Sequence, residues 1–181
     1  VWSPEGPPAK VGQGLPHLEV IPLEKVRDLR YGENPHQRAA LYRRTGFSPA
    51  GAAGAEVLHG KELSYNNLLD SDAAWNLVSE FDRAAAAVVK HTNPCGVAQA
   101  DTLREAYVTA RECDPVSAFG SVVALNRSVE ADTAAELNAT FVEVVLAPAY
   151  SPEALAILKQ KKNIRLLQMG PLSHPYLQHR E

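Results

Sequence analysis

The chain has 181 residues, of which 45% are hydrophobic and 22% charged, which is enough for one domain whose core needs no disulfide or metal ion. The net charge of −3 excludes the strongly basic proteins that bind nucleic acid or an anionic membrane through their overall charge. Only two cysteines occur, so we expect reduced thiols in a cytoplasmic protein. No apolar run reaches the roughly 20 residues that span a bilayer. We therefore expect neither nucleic-acid nor membrane partners.

The start of the chain is rich in proline, with five prolines in residues 1–22. Proline fixes its backbone angle and has no N–H to donate, so this composition predicts an extended arm or linker over residues 1–24. One domain is expected over residues 25–170, and residues 171–181 are interpreted as the start of a connection to a further unit. Because neither end looks complete, we expect a fragment of a longer protein.

Beyond residue 70, apolar residues recur at helical spacing in some stretches and form short continuous runs in others. These patterns predict helices over 70–83, 102–112, 130–138 and 151–162, and strands over 84–89, 121–125, 141–147 and 164–168. Strands that alternate with helices at this spacing favour an α/β fold with a mostly parallel sheet. In such sheets ligands bind at the carboxyl ends of the strands, so we expect the functional site there.

The first segment with candidate functional residues is 29–37, LRYGENPHQ. Arg30 offers a planar set of donors that suits a phosphate or a carboxamide, and Tyr31 offers a ring face and a hydroxyl group. The alternative is a turn at Asn34 and Pro35 with an exposed arginine.

The second segment, KHTNPCGVA over 90–98, follows directly on the predicted strand 84–89. Lys90 and His91 are therefore expected at the carboxyl end of that strand, where an imidazole can transfer protons near neutral pH. Asn93 and the following proline predict a turn, and Gly96 predicts a close approach of the backbone to a ligand or to a helix start. The alternative is a solvated strand end.

The third segment, DPVSAFG over 114–120, predicts a tight loop whose small residues admit a ligand. Ser117 lacks the Gly-x-Ser-x-Gly surroundings of a hydrolase nucleophile, so a serine hydrolase is excluded. The six histidines have no metal-ligand spacing. Cys95 resembles the start of a zinc-deaminase motif, but Ala98 stands where the second cysteine would be, so no zinc is expected.

Taken together, six segments resemble the AICAR transformylase domain of the bifunctional purine enzymes that also carry IMP cyclohydrolase. They are LRYGENPHQ (29–37), GKELSYNN (60–67), KHTNPCGVA (90–98), DPVSAFG (114–120), EVVLAP (143–148) and KKNIRLL (161–167). Each one is weak by itself, but their order along residues 25–170 makes the resemblance specific.

The resemblance implies transfer of a formyl group from 10-formyltetrahydrofolate, the co-substrate, to the 5-amino group of AICAR. Arg30 and Tyr31 would hold the nucleotide, and Gly120 would contact it through its backbone. His91 would accept the proton of the attacking amine. Lys90 would stabilise or protonate the oxyanion that forms on the formyl carbon.

Two further residues enter through the resemblance. Asn67 would orient the amine or the lysine. Glu143 lies where some family members place an aspartate that contacts the nucleotide, and the alternative for Glu143 is an exposed charge at a strand edge.

The resemblance also implies a three-layer, cytidine-deaminase-like α/β unit, the first of two tandem copies in the parent enzyme, with the zinc ligands lost. The second copy would supply much of the folate site, and the parent enzyme would be a homodimer with its active site at the subunit interface. The chain alone is therefore expected to be inactive. The alternative function is a non-catalytic nucleotide-binding or scaffold fragment of the same fold, and a zinc deaminase would need bound metal.

Overall fold

The computed structural model describes residues 18, 20–47 and 51–171. Most of the arm predicted over 1–24, and nearly all of the connection predicted over 171–181, lie outside these residues.

Strands and helices alternate through most of the described chain. The strands are β1 (Leu23–Leu29), β2 (Ala39–Arg44), β3 (Glu56–His59), β4 (Ala84–Lys90), β5 (Asn93–Ala100), β6 (Ser121–Leu125), β7 (Val142–Ala147) and β8 (Arg165–Gln168). The helices are α1 (Tyr65–Ser79), α2 (Leu103–Glu112), α3 (Ala131–Ala139) and α4 (Pro152–Leu158), and a short 3-10 helix covers Gly51–Gly54.

Six of these strands form one mixed sheet in the order β3-β8-β7-β6-β4-β5. The β6–β7 and β7–β8 pairs are parallel, but β3–β8, β4–β6 and β4–β5 are antiparallel. The prediction of a mostly parallel sheet is therefore wrong. A tight hairpin joins β4 to β5, and so short a connection is possible only between antiparallel neighbours.

Helices cover both faces of the sheet, so the chain has three layers. Along β4, Ala87 and Val89 belong to the buried cluster that contains residues of α1, while Ala86 and Val88 belong to the cluster that contains residues of α2, α3 and α4. These side chains are at most 1% exposed, which confirms a strand covered on both faces. Burying a valine in this way contributes about 1.5–3 kcal/mol relative to leaving it exposed.

Local capping sets where the helices begin. Helix α1 begins at Tyr65 rather than near residue 70, because Ser64 and Asn67 form a reciprocal capping box at its start. Helix α4 begins as predicted, with Ser151 as the N-cap and Pro152 in the first turn. It ends at Leu158, four residues before the predicted end.

Strands β1 and β2 form a separate antiparallel pair. The segment that follows β1 is hydrogen-bonded to the start of α1. The amide of Arg30 donates to the carbonyl of Leu63 at 3.1 Å, and the amide of Tyr65 donates to the carbonyl of Tyr31 at 3.2 Å. These bonds hold the first candidate segment against the helix.

Strand β5 lies directly against helix α2, and Gly96 makes this contact possible. A Cβ atom at Gly96 would lie 2.0 Å from the carbonyl oxygen of Ala110 and 2.8 Å from the Cβ of Cys113. The backbone of Gly96 therefore makes a close approach as expected, but to the end of helix α2 rather than to a ligand or a helix start. The turn predicted at Asn93 is also misplaced, because β5 begins there.

Candidate functional site

A pocket of about 220 Å³ lies at one end of the strands of the six-stranded sheet. Its lining residues come from all three candidate segments, from α1 and its N-cap, and from β6 and β7. They are Tyr31, Ser64, Asn66, Asn67, Asp70, Lys90, His91, Gly120, Val122 and Glu143. Six of the seven predicted site residues are among them.

The pocket lies at the carboxyl end of β4 but at the amino ends of β6 and β7. Val89 near the end of β4 pairs with Val122 near the start of β6, and Glu143 is the second residue of β7. The expectation that the carboxyl ends of the strands would all meet at the site is therefore wrong. It depended on a parallel sheet, whereas β4 runs antiparallel to β6.

His91 and Thr92 form the two-residue turn between β4 and β5. Both have positive φ angles, of 52° and 62° respectively, as a type I′ hairpin turn requires. Glycine and asparagine usually occupy such positions, and another residue costs about 1–3 kcal/mol in each. The turn that carries His91 therefore needs stabilising contacts from outside the hairpin.

Asp70 of helix α1 supplies these contacts. One carboxylate oxygen accepts a hydrogen bond from the amide of Thr92 at 2.7 Å, and the other accepts from the amide of His91 at 3.2 Å. Sequence reasoning missed Asp70, because nothing in the local pattern of α1 indicates a contact with a turn some 20 residues away. The charged group of Asp70 therefore lies at the backbone of the candidate proton acceptor.

Lys90 links the second segment to the third. Its Nζ donates to the carbonyl oxygen of Phe119 at 3.0 Å. The loop before Phe119 is fixed by Asp114, whose carboxylate accepts from the Ser117 hydroxyl at 2.6 Å and from the Ser117 amide at 3.0 Å. The hydrogen bond from the Ser117 side chain, followed by the one from its amide, lowers the pKa of Asp114.

A second pocket, of about 260 Å³, shares two lining residues with the first. Lys90 and His91 line it together with Asn93, Pro94, Cys95, Asp114 and Ser117. The lysine and histidine therefore line both pockets.

Gly120 lines the first pocket with its backbone. Its φ angle is +75°, and its amide donates to the carbonyl of Phe141 at 2.8 Å. A Cβ atom here would lie 3.4 Å from the Phe141 ring, which packs on the ring of Phe119 with centroids 4.9 Å apart. A glycine at this position leaves the backbone open to the pocket.

Asn67 and Glu143 lie side by side in the pocket. The side-chain amide of Asn67 donates to Glu143 at 3.3 Å, while its oxygen accepts from the amide of Ser64 in the capping box. Because both ends of the Asn67 side chain are bonded, its orientation is fixed. Glu143 is 43% exposed at its side chain and so keeps access to a ligand.

Arg165 lies behind Glu143 and was not singled out from the sequence. Its guanidinium is 3.9 Å from the Glu143 carboxylate, and its Nε donates to the carbonyl of Glu62 at 3.2 Å. The Arg165 side chain is only 7% exposed, and this burial lowers its pKa, an effect that the nearby Glu143 opposes. Arginine nevertheless stays protonated, so it supplies a fixed positive charge beneath the pocket.

Arg30 is the one predicted site residue that does not line the pocket. It is exposed, and its guanidinium lies over the Tyr31 ring at 5.4 Å from the ring centroid. It is also close enough to contribute to the lowered pKa of Arg165. Arg30 therefore lies beside the pocket, next to a residue that does line it.

In the part of the chain that the structure describes, no group of three or more His, Cys, Asp or Glu residues is arranged to hold a metal ion. Within residues 18, 20–47 and 51–171, none of the helices has the length and apolar character needed to cross a membrane.

Comparisons with known proteins agree with the resemblance in the sequence. A family model described as AICARFT/IMPCHase bienzyme matches residues 9–181. The chain is 50% identical over 159 residues to the bifunctional purine biosynthesis protein PurH of Acetivibrio thermocellus, covering 88% of the chain and 31% of that protein. It is 55% identical over 165 residues to PurH of Myxococcus xanthus, covering 90% of the chain and 32% of that protein. The chain thus spans about a third of the length of these relatives.

Proposed function

The chain belongs to the AICARFT/IMPCHase bienzyme family, and on that premise we propose that it supplies part of the site that transfers a formyl group from 10-formyltetrahydrofolate to the 5-amino group of AICAR. The observation that carries the proposal is the single pocket in which Tyr31, Asn67, Lys90, His91 and Glu143 meet.

In the proposed reaction the amine nitrogen of AICAR attacks the formyl carbon, and a new C–N bond forms. The amine proton passes to the imidazole of His91, which acts as the general base. The carbonyl oxygen becomes an oxyanion close to the ammonium group of Lys90, which stabilises it. When the intermediate collapses, the bond to N10 of the folate breaks and that nitrogen takes up a proton, which gives tetrahydrofolate and formyl-AICAR.

The proposed contacts with AICAR are made in the first pocket. Tyr31 offers a ring face, Gly120 its backbone and Glu143 a carboxylate that can accept from the carboxamide or a ribose hydroxyl group. Asn67 orients the amine or the lysine through its fixed amide. Arg30, beside the pocket, is proposed to bind the phosphate.

Two substrates must meet at the catalytic pair, and Lys90 and His91 line two pockets. The two pockets support a reaction in which the nucleotide occupies the first and the formyl group reaches the pair from the second. Since the chain spans only about a third of its relatives, we propose that other parts of a longer protein supply the rest of the folate site. We further propose that this protein is a homodimer, has a second copy of the α/β unit and carries IMP cyclohydrolase activity.

The test is an assay of the complete gene product that contains this chain. It should convert AICAR and 10-formyltetrahydrofolate into formyl-AICAR and tetrahydrofolate, both of which can be followed by absorbance and mass spectrometry. A complete protein that binds AICAR but releases no tetrahydrofolate would overturn the proposal and would favour the non-catalytic alternative. The 181-residue chain alone should bind AICAR weakly and show no turnover.

A further inference from the structure

We propose that Asp70 is a positioning residue that holds the His91 turn in its reactive conformation; this rests on the proposed function of His91 as proton acceptor. Asp70 does so through the backbone of the turn, since its carboxylate accepts from the amides of His91 and Thr92 at 3.2 Å and 2.7 Å.

The need for Asp70 follows from the conformation of the turn. In a two-residue hairpin the two central amides have no partner in the strand ladder. Here both central residues are also in the left-handed region, with φ angles of 52° and 62°, and neither is glycine. A conformation of this kind persists only where surrounding groups fix it. Asp70 provides one acceptor for each of the two amides.

The position of Asp70 on helix α1 gives the contact a second consequence. Asn67 lies three residues earlier on the same helix, hence on the same face, and it bonds to Glu143 at 3.3 Å. One rigid helix therefore sets both the Asn67 amide on the nucleotide side and the turn that carries the imidazole. Misplacing a reacting group by about 1 Å can cost about 10²-fold in rate, so this coupling matters for turnover.

Asp72, two residues further along α1, offers a matched control. Its carboxylate also accepts a backbone amide, from Ala52 at 2.7 Å, but it fixes the 3-10 helix Gly51–Gly54 rather than the His91 turn. Asp70→Ala and Asp72→Ala thus remove the same kind of contact from the same helix, and only the first lies at the pocket.

Four variants of the complete gene product test the proposal: Asp70→Ala, Asp72→Ala, Thr92→Gly and the double variant Asp70→Ala/Thr92→Gly. Asp70→Ala should lower kcat for formyl transfer about 10²-fold, with a KM for AICAR that changes much less. Asp72→Ala and Thr92→Gly should keep kcat close to that of the wild type. The double variant should regain part of the lost kcat, because glycine adopts the left-handed conformation at position 92, one of the two strained positions, without the carboxylate.

The outcomes separate the positioning role from others. A near-normal kcat in Asp70→Ala would overturn the proposal. A double variant as slow as Asp70→Ala would also overturn it, because Asp70 would then act on the substrate directly. If the wild-type protein shows no formyl transfer, the proposed function fails by itself. Hydrogen–deuterium exchange then still tests whether Asp70 holds the turn. The amides of residues 91 and 92 should exchange faster in Asp70→Ala than in Asp72→Ala, and equal rates would overturn the positioning role.

Discussion

The ammonium group of Lys90 donates a hydrogen bond of 3.0 Å to the carbonyl oxygen of Phe119. This bond joins the end of β4 to the loop that precedes β6 and leaves two further N–H groups of the lysine for a ligand. The positive charge is therefore held at a defined position beside the pocket, which is what stabilisation of a developing oxyanion requires.

His91→Ala in the complete gene product should abolish formyl transfer while leaving the fold intact, because His91 is exposed on a turn and contributes no core packing. Removing one transition-state contact typically costs about 10²–10³ in rate, which steady-state assays of tetrahydrofolate release will measure. His59→Ala is the control, since His59 bonds to the carbonyl of Lys161 outside the pocket and its loss should affect stability but not kcat. Near-normal turnover in His91→Ala would remove the imidazole from the mechanism.

Lys90→Met should lower kcat by about 10²-fold, because it removes the cation beside the oxyanion while keeping the length of the side chain. The KM for AICAR should change little. Lys161→Met is a matched control, as Lys161 also donates to a backbone carbonyl, that of Thr140, but lies outside both pockets. The assignment fails if the two variants lose kcat to the same extent.

Gly120→Ala should lower both stability and turnover. The residue has a φ angle of +75°, which strains any side chain, and it lines the pocket with its backbone, where an added Cβ atom would come into ordinary van der Waals contact with the Phe141 ring at 3.4 Å. We expect a loss of about 1–2 kcal/mol in the free energy of unfolding, measured by urea denaturation. Gly46→Ala has the same backbone strain at φ +82° but no atom within 4 Å, so it should lower stability and leave kcat unchanged.

Glu143→Ala should weaken AICAR binding more than it slows chemistry. Hydrogen bonds to charged groups contribute about 1.5–3 kcal/mol, so titration calorimetry should show a Kd that rises about 10- to 100-fold. Glu153→Ala, an exposed glutamate in the first turn of α4, controls for loss of a carboxylate elsewhere. An unchanged Kd for Glu143→Ala would favour the alternative of a charge at a strand edge.

Asp114 should make stability depend on pH in the acid range. The hydrogen bonds from Ser117 lower the pKa of Asp114 in the folded protein. The stabilisation from these bonds is therefore complete above the pKa of an unfolded aspartate, about 4. It is lost as the pH falls through the lower pKa of the folded protein. Urea unfolding of the wild type and of Asp114→Asn between about pH 6 and about pH 2.5 measures this. The difference in stability between the two proteins should shrink on acidification, and a constant difference would contradict the prediction.

The centre of the fold followed from the sequence. The run from Ala84 to Val89 is buried on both faces, and buried strands show continuous apolar runs whatever the direction of their neighbours. The same property explains the error in sheet direction, since an apolar run reveals burial but not polarity. Strand β5 was missed because it lies at the edge of the sheet and contains Pro94, which an edge strand tolerates.

Part of the candidate site also followed from the sequence. Six predicted residues meet in one pocket. Each of them lies at or next to the end of a strand or helix, and these ends lie close together in the fold. Their chemical roles remain predictions. Asp70 and Arg165 were missed for a physical reason: each acts through a contact that exists only after folding, with the turn at His91 and with Glu143 respectively.

The location of the pocket has a further consequence for how the protein tolerates change. In α/β enzymes the loops that vary most are often those at the carboxyl ends of the strands, which also build the site. Here the connections that leave β6 and β7 start at the carboxyl ends of these strands, whereas the pocket lies at their amino ends. An exposed position such as Ser128 is therefore suited to an attached label, which would leave the residues that line the pocket undisturbed.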